Sequence, residues 1–364
     1  MLPLRGHHIM LAVRWSGARR LSLTLCSAWS MLLPCTLGTI SEEAREDMKE
    51  LLELRGIVSV LNTPFTVQDA IDETSLRKNV RRALDAGVAG FLVPAMASEV
   101  GKLTEAERDT LVRAVVEETA GRAPVIGGGS ADTAEARERL ARGLVAAGCD
   151  GVLVSIPYED DAQYEQAVRE VAQAVSSAGE AGSGQGPFLM LQDWDFSGYG
   201  VPVPLIVRLF DEIEAFRSLK IEVVPAGRKY TEVLAATDGR LHVAGGWAVM
   251  QMIEGLDRGV HAFMPTGMHV IYTRICALYE SGKREEARAL FNRLLPVLAF
   301  SNQHLDISIH FFKRLLSVQG VYATPRCREP ILPFDEHHER VADEMIALVQ
   351  EIEHGLAHNG SMFA

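Results

Sequence analysis

The chain has 364 residues, of which 48% are hydrophobic and 23% charged, and its formal net charge is −12. These values are typical of a globular protein and allow one large α/β domain or two domains. The acidic balance leaves no basic face to neutralise phosphates, which excludes nucleic acid as a partner. The five cysteines are scattered, without the paired spacing of a disulfide framework or a zinc site, so we expect no metal.

The first part of the chain differs in composition from the rest. Residues 1–40 contain no acidic residue and include an apolar run from Leu21 to Leu33, directly after Arg19 and Arg20. A basic flank before an apolar core is also typical of signal and transit segments. The run is shorter than the ~20 residues that span a bilayer, so no membrane insertion is predicted. We favour an extension over residues 1–47 that is disordered or not native.

From residue 56 onward, short apolar runs alternate with amphipathic segments. Eight runs are predicted to be strands, and they begin near Gly56, Gly90, Ala123, Gly151, Pro187, Arg217, Leu241 and Gly259. Most of the segments between them carry apolar residues at helical spacing. Alternating strands and helices indicate a parallel sheet, and eight such units predict a (β/α)8 TIM barrel over residues 48–269.

After the eighth strand the pattern becomes entirely helical. Helices are predicted over residues 271–281, 283–300, 304–319 and 338–354. Residues 270–364 should therefore form a helical region packed on the barrel. The histidines of this region are expected to be ordinary helical or solvated residues rather than metal ligands; they are His304, His310, His337 and His338.

Lys220 is the most informative single residue. It lies in an apolar run with β-branched residues, over residues 217–224, that is typical of a buried strand. An ammonium group is costly to bury, and a neutral amine can attack a carbonyl to form an imine. Lys220 is therefore predicted to form an imine. From its position alone, a lysine that reaches solvent or only pairs with Glu222 is an equal alternative.

Barrels of this kind carry the active site at the C-terminal ends of their strands. We therefore expect the polar and glycine residues that follow the strands to surround Lys220 and bind a small, oxygen-rich substrate. The predicted substrate-binding residues are Thr63, Ser98, Asp193, Gly245, Gly246, Thr266 and Gly267. Among them, Gly245 and the turn over residues 265–267 are expected to hold a carboxylate through backbone N–H groups.

Several motifs occur along the chain in a fixed order: Thr63-Pro64-Phe65, Ser98-Glu99, Pro157-Tyr158, Lys220 and Gly245-Gly246. Over residues 54–353 this order resembles the dihydrodipicolinate synthase / N-acetylneuraminate lyase family. The resemblance implies a (β/α)8 barrel, an assembly of two or four copies, and a Schiff base between a strand-six lysine and a 2-keto acid. In that family the lysine lies 28 residues after a strand-five tyrosine, and Gln192 occupies that position here.

The departures from the family pattern concern proton transfer. Gln192 replaces the tyrosine that acts as acid and base in the family, and an amide can orient a group but cannot shuttle a proton. The two threonines of the family's turn after strand two are also missing, because residues 95–99 read Ala-Met-Ala-Ser-Glu. Both departures disfavour the lysine-pathway synthase reaction and indicate a divergent member.

Three side chains are predicted to replace the lost proton chemistry. Tyr158 is the remaining phenol near a strand end, and Asp193 and Glu222 are carboxylates that could act as a base. Glu222 lies two residues beyond Lys220, so both side chains should point to the same face of the strand. The catalytic candidates are thus Lys220, Tyr158, Gln192 and Glu222. A further acid, Glu99, is expected to be a structural hydrogen-bond hub at its turn.

Taken together, these residues predict a lyase that forms a Schiff base, either an aldolase or a dehydratase. Its substrate would be a 2-keto acid, such as a pyruvate-derived or keto-deoxy sugar acid, and the scheme requires no metal or organic cofactor. We expect a cytoplasmic homo-oligomer, a dimer or tetramer, without a nucleic-acid or membrane partner. Two alternatives stay open: condensation of pyruvate with an aldehyde, and a catalytically silent barrel that binds a small acid.

Overall fold

The computed structural model describes residues 54–179, 186–246 and 249–359. The predicted extension over residues 1–47 lies outside these ranges. Within them, none of the helices combines the length and the apolar character that crossing a membrane requires.

A closed parallel barrel occupies the centre of the described chain, with eight strands in sequence order. The strands are β1 (Gly56–Val60), β2 (Gly90–Val93), β3 (Val125–Gly128), β4 (Gly151–Ser155), β5 (Phe188–Asp195), β6 (Phe216–Val223), β7 (His242–Gly245) and β8 (Ala262–Phe263). Each begins within three residues of its predicted start. The predicted TIM-barrel fold is confirmed.

Helices separate consecutive strands on the outside of the barrel. In chain order they are α1 (Glu73–Asp85), α2 (Glu105–Thr119), α3 (Ala134–Ala146), α4 (Asp161–Ala178), α5 (Val203–Glu212), α6 (Ala226–Ala236) and α7 (Met252–Asp257). Several begin at a side-chain cap: Asp72, Thr104, Thr133 and Asp160 each accept a hydrogen bond from a backbone N–H of the first turn. Local sequence therefore fixes where these helices start.

The C-terminal part is helical, as predicted. It comprises α8 (His269–Glu280), α9 (Arg284–Ser301), α10 (Leu305–Val318) and α11 (Glu336–Asn359). A buried polar cluster joins α10 to the turn after β2. Glu99 accepts hydrogen bonds from Lys102 Nζ at 3.0 Å and from the backbone N–H of Arg328 at 2.9 Å, and it pairs with the buried Lys313. The predicted structural role of Glu99 is confirmed.

The strands separate two hydrophobic cores because their side chains alternate between faces. The inner core fills the barrel and includes Val58, Leu92, Ile126 and Met190. The larger outer core lies between the strands and the helices around them. Both faces of the strands are thus covered, which explains their nearly continuous hydrophobic sequences. This alternation decides which residues of a strand can reach the interior of the barrel.

Candidate active site

A cavity of about 540 Å³ is bordered by the C-terminal ends of the strands and by residues of the helical region. This end of a barrel is where TIM-barrel enzymes carry their active sites. The polar and charged residues that line it are Ser130, Ser155, Gln192, Lys220, Glu222, Thr266, Asn302, Gln303, His304 and Ser308. Four of the predicted site residues, Lys220, Gln192, Glu222 and Thr266, are therefore brought to one cavity.

Lys220 and Glu222 form a buried ion pair in the cavity wall. Both lie on β6 two residues apart, so their side chains share one face of the strand, and that face lines the cavity. Lys220 Nζ lies 3.1 Å from Glu222 Oε2, and the two residues are 7% and 8% exposed. An amine and a carboxylate in direct contact, with one side open to a cavity, can exchange a proton while a small molecule is bound.

Gln192 is the strand neighbour of Lys220. On β5 it is the register partner of Lys220, and its other neighbour in register is Ser155 at the end of β4. The Gln192 amide donates a hydrogen bond through Nε2 to the same oxygen of Glu222 that contacts Lys220. The carboxylate is thus held between an amine and an amide, and Gln192 acts by orienting it.

Gly246 provides the space that the Glu222 carboxylate occupies. A Cβ atom built on Gly246 would overlap both the carboxylate and Cγ of Glu222. Gly246 does not line the cavity itself but lies against the Glu222 side chain at the end of β7. The two consecutive glycines of the motif differ in surroundings, because a Cβ on Gly245 would meet Phe263 and Tyr230 instead.

Thr63 and Ser98 support the cavity without lining it. The Thr63 hydroxyl donates to the backbone carbonyl of Ser98 at 2.6 Å, and the Ser98 hydroxyl donates to the carbonyl of Leu61 at 2.5 Å. These bonds fix the turn after β2, whose residues Ala95 and Met96 do line the cavity. Both hydroxyl groups are therefore committed to the backbone. The prediction that Thr63 and Ser98 contact the substrate is therefore corrected: both residues support the turn that borders the cavity.

The structure also corrects the placement of Asp193. This residue alternates with Gln192 on β5, so it points away from the barrel interior. Asp193 pairs with the fully buried Lys229 of α6, and its Oδ1 accepts a hydrogen bond from the N–H of Val201 at 3.0 Å. Burial raises the pKa of Asp193 and lowers that of Lys229, while their mutual attraction opposes both shifts. The pair anchors a loop and lies outside the cavity.

Tyr158 is likewise outside the cavity. Its hydroxyl donates to Asp161 at the start of α4, 2.7 Å away, and this hydrogen bond raises the pKa of Tyr158. Among the described lining residues the phenol is Tyr272 of α8, which is almost fully buried. Burial raises the pKa of Tyr272 and keeps the phenol protonated. No local pattern indicated this residue, because α8 follows the last strand.

Gly267 allows a turn of the backbone near the cavity. It has a φ of 68°, a conformation that glycine adopts without strain, and it precedes α8. A Cβ on Gly267 would meet the ring of Phe312, which lines the cavity. The neighbouring Thr266 lines the cavity directly. Of the predicted turn over residues 265–267, Pro265 and Thr266 form the wall and Gly267 allows the chain to turn.

Several residues of the cavity were missed by sequence reasoning. They are Trp194 and Phe196 after Gln192, Tyr272, the polar residues Asn302, Gln303 and His304 between α9 and α10, and Ser308 in α10. Trp194 could have been found, because it lies two residues beyond Gln192 and faces the same side of β5. The residues from the helical region carried no sequence signal. They reach the cavity through long-range packing of the helical region.

Comparisons with known proteins agree with the fold. The sequence pattern of the dihydrodipicolinate synthetase family matches residues 53–348. The L-2-keto-3-deoxyarabonate dehydratase of Azospirillum brasilense is 28% identical over 312 residues, which cover 82% of this chain and 94% of that protein. The 4-hydroxy-tetrahydrodipicolinate synthase of Methylobacterium radiotolerans is 30% identical over 298 residues, covering 80% of this chain and 95% of that protein.

A solved structure shows the same fold. The dihydrodipicolinate synthase of Rhodopseudomonas palustris superposes with a TM-score of 0.74 at 22% sequence identity, covering 82% of this chain and 98% of that chain. The family pattern spans most of the sequence, including the whole barrel and the lysine on β6. The chain belongs to the dihydrodipicolinate synthetase family of enzymes.

Proposed function

We propose that this protein is a lyase that binds a 2-keto acid as an imine on Lys220 and then cleaves a C3–C4 bond or eliminates water. One observation carries the proposal: the amine, the Glu222 carboxylate and the Gln192 amide are in contact at the wall of a cavity of suitable size. Family membership supports the chemistry. The resemblance to a keto-deoxy sugar acid dehydratase supports the class of reaction.

Glu222 supplies the proton transfers that imine formation needs. It accepts a proton from the ammonium of Lys220, 3.1 Å away, and the neutral amine attacks C2 of the keto acid. The C2 oxygen takes a proton from the attacking nitrogen, which gives a carbinolamine. Glu222 then returns its proton to that hydroxyl group, which leaves as water. The product is a protonated imine beside a carboxylate, so charge is conserved.

Bond cleavage uses the same two groups. In aldol cleavage, Glu222 takes the proton of a C4 hydroxyl, the C3–C4 electron pair moves toward the imine, and an aldehyde and an enamine result. In dehydration, Glu222 takes a C3 proton, and the C4 hydroxyl leaves as water with that proton. After aldol cleavage, C3 of the enamine takes the proton back from Glu222, which regenerates an imine. In both routes water then hydrolyses the imine and frees Lys220. Each route is balanced without a metal or an organic cofactor.

The remaining polar residues have orienting roles in this scheme. Gln192 holds the carboxylate that moves the proton, which is why an amide can stand where the family has a phenol. Thr266, together with Ser155 beside Gln192, lies where it can donate hydrogen bonds to the keto-acid carboxylate. The carboxylate site predicted around residues 265–267 thus rests on Thr266 in this proposal.

Condensation of pyruvate with an aldehyde is the second candidate. The relative from Methylobacterium radiotolerans is named a 4-hydroxy-tetrahydrodipicolinate synthase, and condensation passes through the same imine. The turn of residues 95–99 lacks the family's threonines, and β5 lacks its tyrosine, which favours the lyase. A silent barrel would not need a contacting amine, carboxylate and amide in its cavity.

The family resemblance also leads us to propose a homo-oligomer, a dimer or a tetramer, that acts in the cytoplasm on a small 2-keto acid. Light scattering on the purified protein gives the number of copies. Fractionation of the source cells gives the compartment.

The proposal is tested by a substrate screen. Purified protein is incubated with 4-hydroxy-2-keto acids and with 2-keto-3-deoxy acids, and released pyruvate and dehydrated products are measured by mass spectrometry. We expect turnover of at least one acid, abolished in Lys220→Arg and retained in Lys78→Arg, an exposed lysine that donates a hydrogen bond to the carbonyl of Gly320 and does not line the cavity. Turnover that survives Lys220→Arg, or none with any acid, contradicts the lyase.

A further inference from the structure

The charges that line the cavity are confined to one place. Among the described lining residues, the charged side chains are Lys220 and Glu222, which contact each other. The other titratable lining residues are Tyr272, which is buried, and His304, whose side chain is 55% exposed. A substrate with a second carboxylate or a phosphate would lose hydration in this cavity without meeting a cation. The wall therefore suits an acid with a single negative charge.

Two aromatic rings form the rim of the cavity next to β5. Trp194 and Phe196 line it, are 50% and 45% exposed, and stand edge to face with ring centroids 5.7 Å apart. Trp194 is the register partner of Glu222 and lies roughly 7 Å beyond Gln192 along the strand. Met96, 49% exposed, lines the same cavity. Exposed apolar groups beside a cavity indicate contact with an apolar ligand.

The loop after β5, which carries Phe196, is held by hydrogen bonds. Asp195 accepts hydrogen bonds from the backbone N–H groups of Ser197 and Gly198, both at 2.8 Å. The buried Lys229 donates to the carbonyls of Tyr199 and Val201. These contacts hold the loop that carries Phe196, and the strand β5 holds the backbone of Trp194. The apolar rim is thus an ordered part of the cavity wall.

Asn302 adds one polar contact from the helical region. It follows α9 and lines the cavity, and its Nδ2 is buried without a hydrogen-bond partner among the described residues. A buried donor without a partner is costly unless a bound molecule supplies an acceptor. An uncharged oxygen on the substrate, such as a hydroxyl, would satisfy it.

We propose that the substrate is a 2-keto acid with one carboxylate, whose arm beyond C3 is uncharged. The arm packs an apolar face against Trp194 and Phe196 and offers an oxygen to Asn302. This inference rests on the proposed function, because it takes the imine at Lys220 as the fixed end of the substrate. It narrows that function by excluding dicarboxylic and phosphorylated keto acids.

The test separates recognition of the arm from the chemistry. The Lys220→Met variant cannot form an imine, so calorimetry on it measures binding alone for 2-oxohexanoate and for 2-oxoglutarate, which are similar in length and differ in the distal carboxylate. We expect Kd to be at least tenfold lower for 2-oxohexanoate. Equal affinities, or tighter binding of 2-oxoglutarate, would overturn the inference. Trapping of pyruvate by borohydride in the unmodified protein reports the proposed function independently.

Two variants assign the preference to named residues. Trp194→Ala is expected to weaken binding of 2-oxohexanoate at least fivefold, whereas Leu295→Ala, which removes an equally exposed apolar side chain outside the cavity, should not change it. Asn302→Lys places a cation in the wall and should reverse the preference toward 2-oxoglutarate. If both cavity variants leave the ratio of the two affinities unchanged, the arm does not contact this surface and the inference is wrong.

Discussion

The Glu222 carboxylate lies 3.1 Å from the Lys220 amine, two residues further along the same strand. The pair gives the barrel an amine and a proton acceptor in direct contact, where the family has an amine and a tyrosine. Because both side chains come from one strand, their spacing is fixed by strand geometry rather than by packing between distant elements. The proposed imine chemistry depends on this contact.

Replacement of Glu222 by glutamine should abolish most of the activity. The amide keeps the size of the side chain but cannot accept the proton from Lys220, so kcat should fall by about 10²- to 10⁴-fold, the range of general acid–base catalysis. Steady-state kinetics on the best substrate measures the loss. Glu159→Gln, an exposed residue after β4 that does not line the cavity, is the matched control and should change kcat less than twofold. Comparable activity in both variants would show that Glu222 is not the base.

Gly246→Ala should impair catalysis through the position of Glu222. The added Cβ would overlap the carboxylate, which must then move away from Lys220 and Gln192. We expect a drop in kcat of at least tenfold, measured with the same assay. Gly143→Ala is the control: this glycine lies inside α3 with no atom near a built Cβ, so alanine should stabilise the helix by about 0.5–1 kcal/mol. Unchanged kcat in Gly246→Ala contradicts the arrangement.

The buried pair of Asp193 and Lys229 should be important for stability. Removing one partner leaves a buried charge without compensation, so Lys229→Met should lower the free energy of unfolding by about 3–5 kcal/mol. The double variant Asp193→Leu, Lys229→Met should recover part of the loss. Urea unfolding measures all three. Asp109→Asn, which breaks an exposed pair with Arg113, should cost less than about 1 kcal/mol. Equal losses of unfolding free energy in Lys229→Met and Asp109→Asn would show that the buried pair is no more important for stability than the exposed one.

Two buried histidines at the bottom of the barrel should make the protein less stable as the pH decreases. His242 and His261 stack 5.2 Å apart, and His242 bonds the Ser218 hydroxyl and the Leu54 carbonyl. Burial, with the nearby charge of Arg55, lowers the pKa of His242 from 6.5 to about 4 and that of His261 from 6.5 to about 3. The folded state disfavours protonation of both rings, whereas the unfolded chain accepts the protons near pH 6.5. The contribution of the two neutral rings to the free energy of unfolding is therefore complete above pH 6.5 and is lost as the pH falls toward the lowered pKa values.

For His242 alone the loss between pH 7 and pH 4 amounts to about 3 kcal/mol. The slope of unfolding free energy against pH, from urea titrations over this window, measures it. In His242→Gln the slope should decrease, while carboxylates elsewhere contribute equally to both proteins. An identical slope in the two proteins would show that His242 is not protonated on unfolding.

The fold and its central lysine were predictable because local patterns determine them. The β6 sequence has a polar residue at alternate positions, and the spacing from Gln192 to Lys220 matches the family pattern. Asp193 was assigned to the site because the register of β5 is not visible in its sequence, and a one-residue shift exchanges the two faces. Once Lys220 is paired with Gln192, Asp193 must point outward.

The outer half of the cavity could not be predicted. β4 ends at Ser155, three residues before Tyr158, so the inward position at that strand end belongs to a serine. Asn302 comes from the turn between α9 and α10 and Phe312 from α10, and no local pattern indicates which residues of this region meet the strands. Such contacts depend on how the helical region packs, which is a long-range property of the chain.

Reductive trapping tests the central claim most directly. The protein is incubated with pyruvate and sodium borohydride, digested, and analysed by peptide mass spectrometry. The account predicts one added pyruvate-derived group, located on the peptide that contains Lys220 and absent in Lys220→Met. A folded protein that gains no mass, or that carries the group on another lysine, would contradict an imine at Lys220.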